Sequence, residues 1–192
     1  MLESIEAGAV LAPLLSAFGV VVLYHYLGRD YLGADENAHW NNIRRTVLLS
    51  VDEYVKEYTG FTTTNSAKPS EYFGSLDASS HEVAQVFEAA GYVQGVLAGL
   101  KGRKVSGEME YEAGSMVFRE SKSDLVPDVL AMYQTHVYWF ENSDGGVDLY
   151  AHYEYSSANP LVAWKHYQAV GLDAERGITK TRAALLGEGV AI

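Results

Sequence analysis

"MYQTHVYWFENSDGGVDLYAHYEYSS", Met132 to Ser157, decides how this chain folds. Two runs rich in Tyr, Val, Phe and Trp flank "NSDGG", and Asp144 followed by Gly145 is among the clearest short-range hairpin signals. The stretch predicts an antiparallel hairpin over 132–156. Side chains alternate between the faces of a strand, so Trp139 and Phe140 point opposite ways. If the domain's own helices cover one face, the other is left for a partner chain, which makes Trp139, Phe140 and Tyr150 candidate interaction residues. The same alternation puts His152 and Glu154 on one face. A five-residue loop sets His136 across from His152, whereas a two-residue loop pairs it with Tyr153 and sends the rings to opposite faces. With His166 downstream, three imidazoles and a carboxylate (His136, His152, Glu154 and His166) form an alternative metal-ligand set. The competing reading makes them half-buried sheet residues bonded to neighbouring Tyr hydroxyls.

Outward from the hairpin the signals are mostly helical. "ANPLVAWKHYQAVG" starts a helix with Asn159 as cap and Pro160 at the first position; "LDAERGITKTRAALLG" starts another at Asp173, with Gly177 inside it. Upstream, "SGEMEYEAGSMVFRE" reads as a strand pair or a bent strand, and "GVLAGLKGRK" as turn and loop. "DASSHEVAQVFEAAGY" is a capped helix whose buried stripe is Val83, Val86 and Phe87, with Gly91 as its stop. "EYFGSLD" can be a short strand, and "TTTNSAKPS" a flexible joint. "DENAHWNNIRRTVLLSVDEYVKEYTG" repeats apolar residues from Trp40 to Tyr58 at helical spacing, between Asp35 and Gly60. The expected fold is α+β over 33–192: helix 35–59, loop 60–70, then sheet and helices over 71–186. The antiparallel sheet has about four or five strands, with helices packed on one face.

The run "HVYWFENSDGGVDLYAHYEYSSANPLVAWKHY", followed by "VGLDAERGI", resembles a group of uncharacterised proteins encoded by haloarchaea and their viruses. In that group a similar hairpin ends in a Tyr-Ala-His-x-Glu-Tyr run ahead of an Asn-Pro helix start. The likeness spans roughly Gln134 to Gly177 and implies a high-salt host, cellular or viral. It carries over no activity and no functional residue. Composition agrees: 25 acidic against 14 basic side chains give a formal charge of −11, with only 7 Lys and 4 Ile. Such a charge opposes binding to phosphate backbones, so nucleic acid is not an expected partner. The absence of Cys rules out disulfides and thiolate metal sites.

At the other end, Ala7 to Leu27 holds 21 residues without a formal charge, taking His25 as neutral. As a helix it would span about 30 Å, the thickness of a bilayer core. Residues 1–32 are therefore expected to be a membrane-anchor or assembly helix, with Val10, Leu11, Leu14, Leu15, Phe18, Val20, Val21, Val22 and Leu23 as its apolar body. Tyr24 and Tyr26 suit the headgroup layer. A cleavable signal fits less well, since Glu3 and Glu6 precede the apolar run. Arg29 on the C-terminal side favours a single-pass protein whose domain lies in the cytoplasm or virion interior. There is no P-loop, dinucleotide fingerprint, nucleophile elbow or HExxH motif. The sequence thus points to a non-enzymatic, membrane-anchored structural or assembly protein without a cofactor, of a virion or halophile envelope. Its partners would be the bilayer and itself or another structural protein. The alternative is a small metal- or ligand-binding enzyme using the His/Tyr cluster of the hairpin.

Overall fold

The computed structural model describes residues 45–53, 55–57, 63–95, 98–120 and 128–192, all within one compact unit. The stretch Ala7–Leu27 with every anchor residue, and Trp40, Tyr58 and Gly60 at the ends of the expected helix, lie outside the described residues. No described helix is long and apolar enough to cross a membrane.

The hairpin forms as its sequence requires. Strands β7 (Tyr133–Glu141) and β8 (Val147–Tyr155) pair antiparallel, with His136 opposite His152 and Trp139 opposite Leu149. Five residues close the loop: the Asn142 Oδ1 accepts the amides of Asp144 and Gly146, while Gly145 takes φ 88°. That loop length selects the register in which His136, His152 and Glu154 share a face. Around the hairpin, β2 (Tyr72–Leu76), β6 (Gly114–Arg119) and β3 (Val93–Gln94) complete a five-stranded antiparallel sheet in the order β2-β8-β7-β6-β3.

One face of this sheet is apolar. Val137, Trp139, Val147, Leu149 and Ala151 pack against Val83 and Phe87 of α1 (Ser80–Ala89) and Leu185 of α3 (Ala174–Gly187). A capping box between Ser79 and Glu82 starts α1, and Asp173 caps α3 through the Arg176 amide. Gly177 lets α3 lie directly on β8, since a β-carbon there would collide with the backbone of His152. Gly114 likewise makes room for the indole of Trp139.

The opposite face is covered by the chain itself. A second, three-stranded sheet in the order β1-β4-β5 (β1, Thr64–Ser66; β4, Leu100–Val105; β5, Glu108–Tyr111) sends Lys101 and Arg103 toward it. The Arg103 guanidinium stacks 4.5 Å from the Phe140 ring and bonds Glu110, Asp148 and the Glu141 carbonyl. Helix α2 (Ala163–Tyr167) closes the same face through His166.

Several expectations are corrected here. Residues 100–105 form strand β4 and are not a loop. Within 60–70, Thr64–Ser66 is a strand in parallel register with β4. The two strands of "SGEMEYEAGSMVFRE" belong to different sheets. The long helices do share a face, but the other is internal, so Trp139 at 1% exposure and Phe140 at 0% present no surface to a partner.

Candidate functional site

The internal face of the large sheet is a layer of buried polar side chains. Gln134, His136 and Tyr138 come from β7, His152 and Glu154 from β8, Ser115 from β6, Lys101 from β4, and Glu71 from the turn before β2. His136 and His152 are 0% exposed and Glu154 3%. Four of their atoms converge: His136 Nδ1 lies 3.3 Å from His152 Nε2 and 3.4 Å from Glu154 Oε1, and His152 Nε2 lies 3.2 Å from the other carboxylate oxygen, Oε2. These three residues form the compact cluster with metal-ligand chemistry among the described residues. His166 meets it at Glu154 Oε2, 2.9 Å from its Nδ1, though without the alignment of a hydrogen bond.

Each member is held from outside. Ser115 Oγ bonds His136 Nε2 at 2.8 Å, and Gln134 Nε2 donates to Glu154 Oε1 at 2.8 Å. Glu71 Oε2 stands 3.4 Å from His152 Nδ1 and accepts a short hydrogen bond from the Tyr138 hydroxyl. The expectation of half-buried rings bonded to Tyr hydroxyls is thereby corrected. The rings are fully buried, and the nearby hydroxyl of Tyr138 goes to Glu71.

Burial and charge pull these groups in opposite directions. Desolvation pushes the His136 imidazole down to about 3, so it is neutral. Burial opposes the charged form of His152 too, but the charge of Glu154 and the acceptance of its ring protons by Glu154 and Glu71 hold it above its ordinary value. Burial would raise Glu71, yet His152, Lys101 and Tyr138 keep it at about 2. Glu154 is held well below the carboxylate range against its burial, by the charges of His166 and His152 and by bonds from His136 and His152. Burial and the Glu71 charge push the Tyr138 phenol upward. The arrangement can place a proton on His152 between two carboxylates, or a cation where the three donors meet.

The surface carries a second feature. The Asn159 amide nitrogen donates to the carbonyls of Leu130 and Ala131 at 2.9 and 3.3 Å, and its oxygen accepts from the Leu161 amide at 2.9 Å. On the two segments it ties together, Leu130, Met132, Leu161 and Trp164 are 48%, 38%, 76% and 49% exposed. The Lys165 ammonium lies over the rings of Tyr155 and Trp164 at 4.6 and 5.5 Å. Tyr150, the remaining interaction candidate, is half-buried and lines an open groove of about 700 Å³ with Tyr72, Arg103 and Met109.

Sequence reasoning assembled His136, His152 and Glu154 but missed Glu71, Gln134, Ser115 and Lys101. Gln134, two residues before His136, was open to the same alternation argument; the others come from elements whose packing no local pattern signals. No protein-family model, curated protein or solved structure matches the chain.

Proposed function

We propose that this chain is a non-enzymatic interaction module, a structural protein of a halophile's envelope or of a virion, tethered to the bilayer by residues 7–27. The observation that carries this reading is the set of exposed apolar side chains on the two segments that Asn159 ties together. Leu161 at 76% exposure, with Trp164, Leu130 and Met132 also exposed on the segments Asn159 joins, offers apolar side chains that a protein partner could cover. The polar layer supports the same reading, because its side chains are buried among the described residues. The exposed set docks a protein partner, a second copy of the chain in the first instance.

The test is sedimentation of the full chain in detergent, wild type against Leu161→Ser/Trp164→Ser. Association should weaken by about 2 kcal/mol or more, the scale of an interface hot spot, while the circular dichroism stays unchanged. Equal association in both proteins removes these side chains as the contact.

A further inference from the structure

We propose that the polar layer is a structural metal centre in which His136 Nδ1, His152 Nε2 and the Glu154 carboxylate bind one divalent ion of the zinc class. The inference is independent of the exposed apolar side chains and of any partner.

The two ring nitrogens stand 3.3 Å apart and the carboxylate spans them, with Oε1 3.4 Å from His136 Nδ1 and Oε2 3.2 Å from His152 Nε2. A tetrahedral zinc site with ligand bonds of about 2.0–2.1 Å has ligand-to-ligand edges of roughly 3.3–3.4 Å. The donors therefore already stand close to where an ion requires them.

A ring nitrogen can ligate only if the proton sits on the other nitrogen, and each ring has a partner on that outer side. With His136 Nε2–H donating to Ser115 Oγ, Nδ1 turns its lone pair inward. With His152 Nδ1 facing Glu71, Nε2 does the same, and the hydroxyl of Tyr138 fixes Glu71 in turn. Gln134 holds the carboxylate from behind. A single proton can bridge only one of the three inward edges at a time, whereas an ion satisfies all three donors together.

Two imidazoles and one carboxylate, in a chain with no Cys, suit a borderline divalent ion better than a soft or a purely oxygen-seeking one. With ligands 0–3% exposed, the ion enters as the sheets close and contributes to folding rather than to turnover.

The test uses the full chain, unfolded in chelator and refolded in detergent with or without zinc or cobalt, then desalted. We expect about one ion retained per chain, a higher melting temperature with metal, and visible cobalt bands of a four-coordinate site. Glu154→Gln and His136→Gln should each lose both the ion and the metal-dependent rise in melting temperature. Glu71→Gln, which meets the three ligands only at the outer side of His152, should weaken affinity about 10- to 100-fold and still bind. Should either ligand variant fail to refold, the wild-type chain still decides. A refolded wild type that retains no stoichiometric ion and gives no cobalt bands overturns the proposal, as does full retention in Glu154→Gln and His136→Gln.

Discussion

At the scale of single residues, the positions that determine most are those where a side chain is absent or fully enclosed. Gly177 interrupts a helix that Ala would favour intrinsically, a local cost of about 0.5–1 kcal/mol that α3 accepts in order to touch β8. The helix start at Asp173 was legible in the sequence despite that glycine, but the reason for the glycine was not, because the colliding atoms belong to His152, 25 residues earlier. Gly177→Ala should therefore destabilise the domain by at least the roughly 1–3 kcal/mol of an overpacked core site, measured by urea unfolding. Gly187→Ala, on the same helix with nothing near its would-be β-carbon, should be neutral or stabilising by up to about 1 kcal/mol. Equal effects at the two positions would contradict close packing of α3 on the sheet. The histidines show the same limit of legibility. Their pairing depended on loop length, which "NSDGG" narrows to two registers, and the Asn142 bonds select one of them.

At the scale of elements, those that announced themselves carry local signals. The hairpin has its Asp-Gly turn, α1 its Ser79–Glu82 box, and α3 its Asp cap. The missed strands carry none. In β4, Leu100 and Lys101 on opposite faces are both buried and Arg103 faces inward, so no apolar-in, polar-out alternation shows and the glycines read as loop. β1 is three polar residues, Thr64 to Ser66, held by contacts distant in sequence. Its main support is Asp52 on the helical segment 45–53. The Oδ1 of Asp52 accepts the Thr63 amide at 2.6 Å, the Thr63 hydroxyl at 2.6 Å and the Thr64 amide at 3.1 Å, while its Oδ2 takes the Thr64 hydroxyl. These bonds hold the Asp52 carboxyl below its usual range against its partial burial. Asp52→Ala should cost about 1.5–3 kcal/mol, the range for hydrogen bonds to a charged group, and should raise amide exchange at 63–66 before the hairpin is affected. Undiminished protection there would mean that pairing with β4 suffices to hold β1.

At the scale of the whole molecule, the fold separates its charges into two populations that respond differently to salt. Among the described residues Glu71, Glu112 and Glu154 are buried together with Lys101 and Arg119, whereas every other described carboxylate is at least partly exposed. Interior pairs are weakly screened, whereas surface carboxylates repel over a distance set by the ions around them. In molar salt the Debye length is about 3 Å and neighbouring carboxylates scarcely interact; at 0.1 M it reaches about 10 Å and their repulsion spans the surface. If the protein is built for a saline setting, lowering salt from molar to about 0.1 M should lower its melting temperature. Self-association should weaken in parallel, since two copies of like charge must then approach each other. The polar layer supplies an internal control: exchange protection of the β7 and β8 amides should persist at low salt until global unfolding. A melting temperature and an association state both indifferent to salt would rule out the halophilic reading, and would leave the excess of carboxylates to be explained by solubility alone.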